Sequence, residues 1–284
     1  MVGKNKNSGK FQQTQSGKIL QTQSGKIKRV QSGNLHVCFR GNSRNVVFYD
    51  DNDIIQLLLR INRFAKQYNT KIIAFVIMQN HAHLQVITNN VTQFMRSILN
   101  SYSRWYNMKY GMSNQVFKSP FMSTNKRSRE WALNSVLYIL NNPIKAGLCS
   151  KPKDYRWSSY HFYFERRNSL IKYIEIDTTF VEGNFKNRED LDSSIIAEVS
   201  TELDIHERSL YSKELVPYSE IIKYMNQLLK GAKLPELSRE QTENLIVALK
   251  EKFDASYRQI ASIMHESWEF VRRTCEYRGT ISGI

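Results

Sequence analysis

The segment MQNHAHLQVI, residues 78–87, carries two histidines one residue apart in an otherwise apolar stretch. In a β-strand, residues i and i+2 point to the same face and lie about 6.6 Å apart along the chain. His81 and His83 would then present two imidazoles side by side, as two ligands of a divalent cation. No third histidine or cysteine lies near them, so an ion with open catalytic positions suits the segment better than a closed zinc site. Such a pair is also typical of ordinary strand packing, and these residues alone leave both interpretations open.

A second group of polar residues ends a predicted helix in LYILNNPIKAG, residues 137–147. Tyr138 and Asn142 stand four residues apart and therefore share one helix face. Pro143 disfavours helical geometry for the residue before it, which places Asn142 in the final turn. Its carboxamide oxygen is a neutral ligand for a cation, and two imidazoles plus oxygen ligands suit Mn²⁺ or a partly hydrated Mg²⁺. A simple helix end and a packed tyrosine explain the same residues.

The elements that must position these residues follow a regular order. Apolar spacing predicts strands at NLHVCFRG (34–41), KIIAFVIM (71–78), HAHLQVI (81–87) and QVFKSPF (115–121), and helices at Asp51–Tyr68, Val91–Tyr110 and Arg129–Asn142. The order β-α-β-β-α-β-α is typical of an α+β, ferredoxin-like antiparallel sheet with helices on one side. We expect this domain to span residues 34–165.

The segments before and after this domain differ in composition. Residues 1–33 contain seven Lys or Arg residues and no acid, and QSG recurs there every eight residues. Such a stretch cannot build a hydrophobic core, so we expect a disordered basic arm. The arm either binds phosphates non-specifically or is a local sequence duplication without a function. Residues 166–210 are polar and acidic and predict a linker with some helix, and 211–284 predict a helical domain.

The sequence YRQIASIMHESWEFVRRTC, residues 257–275, has the spacing of a helix-turn-helix. Ala261 would allow the helices to cross closely, Ser267 would cap the second helix, and Val271 would return to the core. Two residues depart from this pattern, because His265 replaces the usual turn glycine and Glu266 replaces an apolar residue. An ordinary helical hairpin is the alternative.

The charge balance favours a polyanionic partner. The 284-residue chain has 41 Lys and Arg residues and 26 Asp and Glu residues, which gives a formal net charge of +15. Such a charge indicates a nucleic-acid partner. The alternative is a basic surface that is only solvated. The residues we expect to bind DNA are Arg40, Arg44, Arg104, Lys109, Lys118, Lys126, Arg272 and Arg273.

Other features exclude several classes of protein. No apolar run reaches the roughly 18 residues that span a bilayer, and the N-terminal residues are polar where a signal peptide is apolar. Three widely spaced cysteines indicate neither a disulfide framework nor a CxxC metal site. We expect a cytoplasmic, nucleoid-associated protein with no membrane partner.

Three motifs resemble those of one enzyme family. MQNHAHLQV is similar to the MPNHxHLLV motif of the single-tyrosine HUH transposases. YILNNPIKAGL with the following YRWSSY resembles YIxxNPVRAGLV and YPWSSY of their REP-associated tyrosine transposase branch. SGNLHVCFRGNSRNVVF resembles the SGxYHVxxRGxNR start of that branch, in a subset with a C-terminal helix-turn-helix. The resemblance runs from about residue 32 to 163, and Gln79 and Ala82 depart from it without removing a functional group.

The resemblance implies a metal-dependent transposase that cleaves single-stranded or hairpin-flanked DNA, such as REP elements. The family's metal ligands fall on His81, His83 and Asn142, and its nucleophile on Tyr138. The cofactor would be Mg²⁺ or Mn²⁺, and the product a 5′-phosphotyrosine with a free 3′-OH that allows strands to be rejoined. The oligomeric state is left open between monomer and homodimer.

Two alternatives remain at this stage. One is a DNA-binding regulator descended from such an enzyme, whose helix-turn-helix binds duplex while the metal site is vestigial. The other is a two-histidine phosphodiesterase, which requires a second HxS or HxT motif that the sequence does not contain. A test for covalent adduct formation discriminates the first alternative from the transposase.

Overall fold

The computed structural model describes residues 20–21, 27–164, 168–196, 216–253 and 255–279. Four antiparallel strands form the central sheet in the order β2-β3-β1-β4, which is the ferredoxin-like order. The strands are β1 Gly33–Arg40, β2 Lys71–Met78, β3 His81–Thr88 and β4 Met122–Asn125. The predicted α+β class and element order are therefore confirmed.

Helices cover both faces of this sheet. Helices α1 Asp51–Gln67 and α2 Val91–Tyr110 pack on one face, against apolar residues of β1, β2 and β3 that include Phe39, Phe75 and Leu84. Helix α3 Arg129–Lys145 packs on the opposite face, against Ile73, Val76 and Met78. The prediction of helices on one side holds for α1 and α2 and is wrong for α3. We call the side under α1 and α2 the apolar face and the side under α3 the polar face.

Two predicted elements change by more than one residue, whereas the bounds of the others agree to within one residue. The strand expected at 115–121 lies later, at β4, and only Phe117 of the predicted segment makes a bridge, to Gly41. Pro120 explains the shift, because proline has no N–H to donate to a strand ladder. Helix α3 continues through Pro143 to Lys145. Pro143 removes one backbone hydrogen bond of the helix. The residues next to it are buried, and their packing offsets this loss.

One residue that the sequence assigns to the basic arm contacts the sheet domain. Arg29, assigned to the arm, donates from its guanidinium to the Phe121 carbonyl and stacks 3.6 Å from the centroid of that ring. Leu20–Gln21 and Ile27–Lys28 pair antiparallel, and the rest of the predicted arm before Arg29 lies outside the described residues.

The first half of the predicted linker is packed. It contains two short helices, α4 Thr179–Glu182 and α5 Arg188–Ile196. Val181 and Leu191 are buried in one cluster with α3 residues, so this half extends the polar-face layer. Residues 197–215 of the predicted linker and of the helical domain's start lie outside the described residues.

The C-terminal helical unit, residues 216–279, has a core that also includes Val46 from the loop after β1. Its helices are α6 Tyr218–Leu229, α7 Arg239–Lys252, α8 Tyr257–Met264 and α9 Trp268–Gly279. The turn between α8 and α9 has the predicted features: Val271 is fully buried and Ser267 Oγ accepts from the Phe270 amide at 3.1 Å. His265 adopts the left-handed conformation (φ 55°) that glycine usually supplies in this turn.

Among the described helices we find none with the length and apolar character needed to cross a bilayer.

Candidate active site

The two histidines of β3 lie on the polar face beneath α3. Because side chains alternate along a strand, Ala82 and Leu84 enter the opposite core while His81 and His83 face α3. Their ring centroids are 5.3 Å apart, and both rings are buried. The Tyr138 ring of α3 lies 5.8 Å from the His83 ring, centroid to centroid. The structure thus brings together the histidine pair and the tyrosine that the sequence separates by more than fifty residues.

Asn142 presents its carboxamide oxygen to the buried interior. Its Nδ2 donates to the Tyr138 carbonyl at 2.7 Å, which fixes the orientation of the amide. Neither Asn142 Oδ1 nor His83 Nε2 has a hydrogen-bond partner within the described part of the chain, although both atoms are buried. Buried polar atoms are nearly always satisfied, so an unpartnered imidazole nitrogen of β3 and an unpartnered amide oxygen of α3 are candidate ligands of a cation.

Within the described residues, no three His, Cys, Asp or Glu side chains are grouped as ligands of a metal ion. The side-chain atoms that could hold a cation here are the imidazole nitrogens of His81 and His83 and the amide oxygen of Asn142. Open positions would remain for water or a substrate phosphate, which is the arrangement of catalytic rather than structural ions.

Each histidine has a hydrogen-bond partner at Nδ1. His81 Nδ1 donates to Asn80 Oδ1 at 2.6 Å, and Asn80 Nδ2 donates in turn to the Arg44 carbonyl at 3.2 Å. His83 Nδ1 lies 3.0 Å from Nε2 of His36, which is buried on the neighbouring strand β1. Partners of this kind orient the ring of a ligating histidine and fix its tautomer. The sequence alone does not indicate these roles of Asn80 and His36. The only feature that could have pointed to them is a polar side chain in an apolar strand, for His36, and in the turn before β3, for Asn80.

The site keeps its imidazoles neutral. Burial lowers the pKa of His81 to about 4, with the nearby Arg40 guanidinium as a second cause. Burial also lowers the pKa of His83 and His36 well below the ordinary histidine value, assisted by the other two imidazoles at His83 and by Lys126 at His36. Neutral imidazole has a lone pair that imidazolium lacks, so at neutral pH the rings are in the form that binds metal ions.

A tight loop after β1 shapes one end of the site. The Gly41 amide donates to the Asn80 carbonyl at 2.7 Å, and a Cβ at Gly41 would lie 2.1 Å from the Asn45 carbonyl oxygen. Only glycine fits this approach. The Arg44 carbonyl also accepts from Ser262 Oγ of α8 at 2.8 Å, which attaches the helical unit to the loop beside His81.

Three of the predicted DNA-binding residues surround this end of the sheet. Arg40 stands opposite His81 in the strand register, and the Lys118 amide donates to the Arg40 carbonyl at 2.9 Å. Arg44 is exposed, and burial together with the Arg44 charge lowers the pKa of Arg40. Neighbouring guanidinium groups repel each other, so this basic rim of Arg40, Arg44 and Lys118 favours an anion.

The other predicted DNA-binding residues lie elsewhere. Lys126 is buried beside His36. Arg104 is exposed on α2, in the helix layer across the sheet from the histidines.

Lys109 on the same helix α2 makes 2.7 Å ion pairs with Asp50 and Asp53 and so connects α2 to α1. On α9, Arg273 is exposed and Arg272 pairs with Glu276 at 3.2 Å.

Comparison with known proteins supports the resemblance for part of the chain. Residues 29–126, about a third of the chain, match the family described as "Transposase IS200 like". The matched segment contains His81 and His83 and ends before Tyr138. The chain is also similar to a solved REP-associated tyrosine transposase bound to a REP hairpin, with 17% sequence identity, a TM-score of 0.41, and coverage of 48% of this chain and 83% of that one. No curated protein matches the chain significantly.

Proposed function

We propose that this protein is a metal-dependent enzyme that cleaves and rejoins single-stranded DNA with Tyr138 as its nucleophile. The observation that carries the proposal is the position of Tyr138 beside His83, in a buried site where His83 Nε2 and Asn142 Oδ1 have no hydrogen-bond partner in the described chain. The similarity of residues 29–126 to IS200-like transposases supports the same reaction class.

His81, His83 and Asn142 would hold the cation, as Mg²⁺ or Mn²⁺. A cation held by these residues would supply Lewis-acid chemistry, through polarisation of the scissile phosphate and stabilisation of charge on the departing oxygen. The protein contributes neutral imidazoles and a fixed amide, so no proton has to leave these ligands first.

Tyr138 supplies the attacking oxygen. The new bond joins its phenolic oxygen to phosphorus, the bond from phosphorus to the 3′-oxygen breaks, and the phenolic proton is lost while the 3′-oxygen gains one. The products are a 5′-phosphotyrosine and a free 3′-OH. One ester replaces another, so a second 3′-OH can reverse the exchange and join strands without ATP.

The surroundings of the site favour single-stranded DNA. A phosphate reaches the buried site only where the bases can be displaced, as in single strands or next to a hairpin. The basic rim of Arg40, Arg44 and Lys118 would guide the backbone towards His81 by phosphate contacts. On the helical unit, the exposed face of α9 with Arg273 and Trp268 would bind the duplex part of a hairpin.

The test is covalent adduct formation with labelled hairpin-flanked single-stranded DNA and Mn²⁺. We expect a band that survives denaturation with the wild-type protein. In Tyr138→Phe the band should fall by at least about 10³-fold, because the nucleophile is removed. Tyr102→Phe, a buried tyrosine of α2 in the opposite layer, is the matched control and should form the adduct normally.

An equal adduct yield from Tyr138→Phe would refute the assignment. DNA binding without any adduct, at any divalent ion concentration, would favour the DNA-binding regulator instead.

A further inference from the structure

The contact between His36 and His83 couples two buried strands at the candidate metal site. His36 Nε2 and His83 Nδ1 are 3.0 Å apart, and the rings are tilted by 34° with centroids 5.2 Å apart. His36 also lies 5.9 Å from the Tyr138 ring, centroid to centroid. His36 therefore lies beside both the proposed ligand His83 and the proposed nucleophile Tyr138.

A single hydrogen can occupy the space between these two ring nitrogens. If it is on His83 Nδ1, His36 accepts, and His83 Nε2 keeps a lone pair that can bind a cation. If it is on His36 Nε2, His83 must carry its own hydrogen on Nε2, which turns a donor towards the cation. The position of one hydrogen therefore decides whether His83 is a ligand.

The neighbouring ligand His81 indicates which of the two arrangements is favoured. On the other histidine the arrangement is already settled, since the Asn80 oxygen can only accept and His81 Nδ1 must donate. The same tautomer at His83 would give both rings an Nε2 lone pair.

We propose that His36 is a positioning residue that accepts the Nδ1 hydrogen of His83 and so holds its Nε2 in the metal-binding tautomer. This inference rests on the proposed metal site, and it concerns ion affinity rather than DNA cleavage. Outer partners of this type change metal affinity by about 10- to 100-fold when they are removed.

The experiment compares His36→Phe with His36→Gln. Phenylalanine keeps a ring beside Tyr138 and removes the acceptor, whereas the glutamine oxygen can take the position of Nε2 and accept. Mn²⁺ binding is measured without DNA, from the rise in melting temperature during a Mn²⁺ titration. We expect the dissociation constant to rise at least about 10-fold in His36→Phe and to return most of the way to wild type in His36→Gln.

Equal Mn²⁺ affinity in wild type and His36→Phe would overturn the inference, as would a wild-type protein that binds no Mn²⁺. Mn²⁺ binding that depends on His36 without any DNA adduct would support the inference and refute the proposed function. If His36→Phe does not fold, the ¹⁵N shifts of the wild-type imidazoles decide. We expect the hydrogen on His83 Nδ1, and a hydrogen on Nε2 would overturn the inference.

Discussion

The two faces of strand β3 differ in how their buried side chains are accommodated. On the apolar face Ala82, Leu84 and Val86 are fully buried among side chains of α1 and α2. On the polar face His83 is as deeply buried, yet its Nε2 has no hydrogen-bond partner among the described residues. One face gains stability from burial, whereas the other bears the cost of unsatisfied polar atoms.

This difference indicates which face has the functional role. Some polar groups under α3 are satisfied, since Ser135 Oγ donates to Gln85 Oε1 at 2.7 Å. The unpartnered polar atoms described above, His83 Nε2 and Asn142 Oδ1, come from two different elements. A fold selected only for stability would replace such atoms with apolar groups, because burying them without partners is unfavourable. We therefore expect substitutions on the apolar face to lower the free energy of unfolding and keep the response to Mn²⁺. Substitutions on the polar face should remove the response to Mn²⁺ and change the free energy of unfolding little.

The largest effect on stability is expected from Leu84→Asn on the apolar face. This change removes packed volume and buries an amide without partners, so the free energy of unfolding should fall by about 4 kcal/mol. Denaturant unfolding measures it. Although the variant melts at a lower temperature than wild type, Mn²⁺ should still raise its melting temperature. Loss of that rise would mean that the two faces are not independent.

The reverse exchange, Asn142→Leu, tests the polar face. Replacing the amide by an apolar group of similar size should change the free energy of unfolding by no more than about 1 kcal/mol, because an unsatisfied oxygen is removed with it. The rise in melting temperature on adding Mn²⁺ should disappear, since the third ligand is lost. A variant that keeps the full Mn²⁺ response would remove Asn142 from the proposed ligand set.

The smallest effect is expected at the basic rim. Arg40→Gln should make the plot of log affinity for single-stranded DNA against log salt less steep by about one, as expected for one lost phosphate contact. Arg104→Gln, on the helix layer across the sheet, is the matched control and should leave the slope unchanged. Equal slopes for the two variants would place the DNA elsewhere.

The sequence predicted the local elements well because their signals are local. The bounds of α2, Val91–Tyr110, and of β2, Lys71–Met78, agree with the structure, and the alternating spacing of His81 and His83 correctly placed them on one face. Tyr138 and Asn142 were correctly placed on one side of α3 by their helical spacing.

The side of the sheet that α3 covers was missed, although β2 contained a signal for it. KIIAFVIM does not alternate, and an unbroken apolar strand is typical of a sheet buried on both faces.

Side-chain contacts between segments that are distant in sequence were not predicted either. His36 meets His83 across 47 positions, and Lys109 meets Asp53 across 56, so neither the imidazole pair nor the ion pair follows from local patterns. Strand register and helix packing decide such contacts.

The most direct test of the account is to locate the covalent bond itself. The wild-type protein is incubated with Mn²⁺ and hairpin-flanked single-stranded DNA, then digested with protease and nuclease, and the adduct is mapped by mass spectrometry. We expect a nucleotide attached through its 5′-phosphate to the peptide that contains Tyr138. Attachment to another tyrosine, or cleaved DNA with no attached peptide, would contradict it.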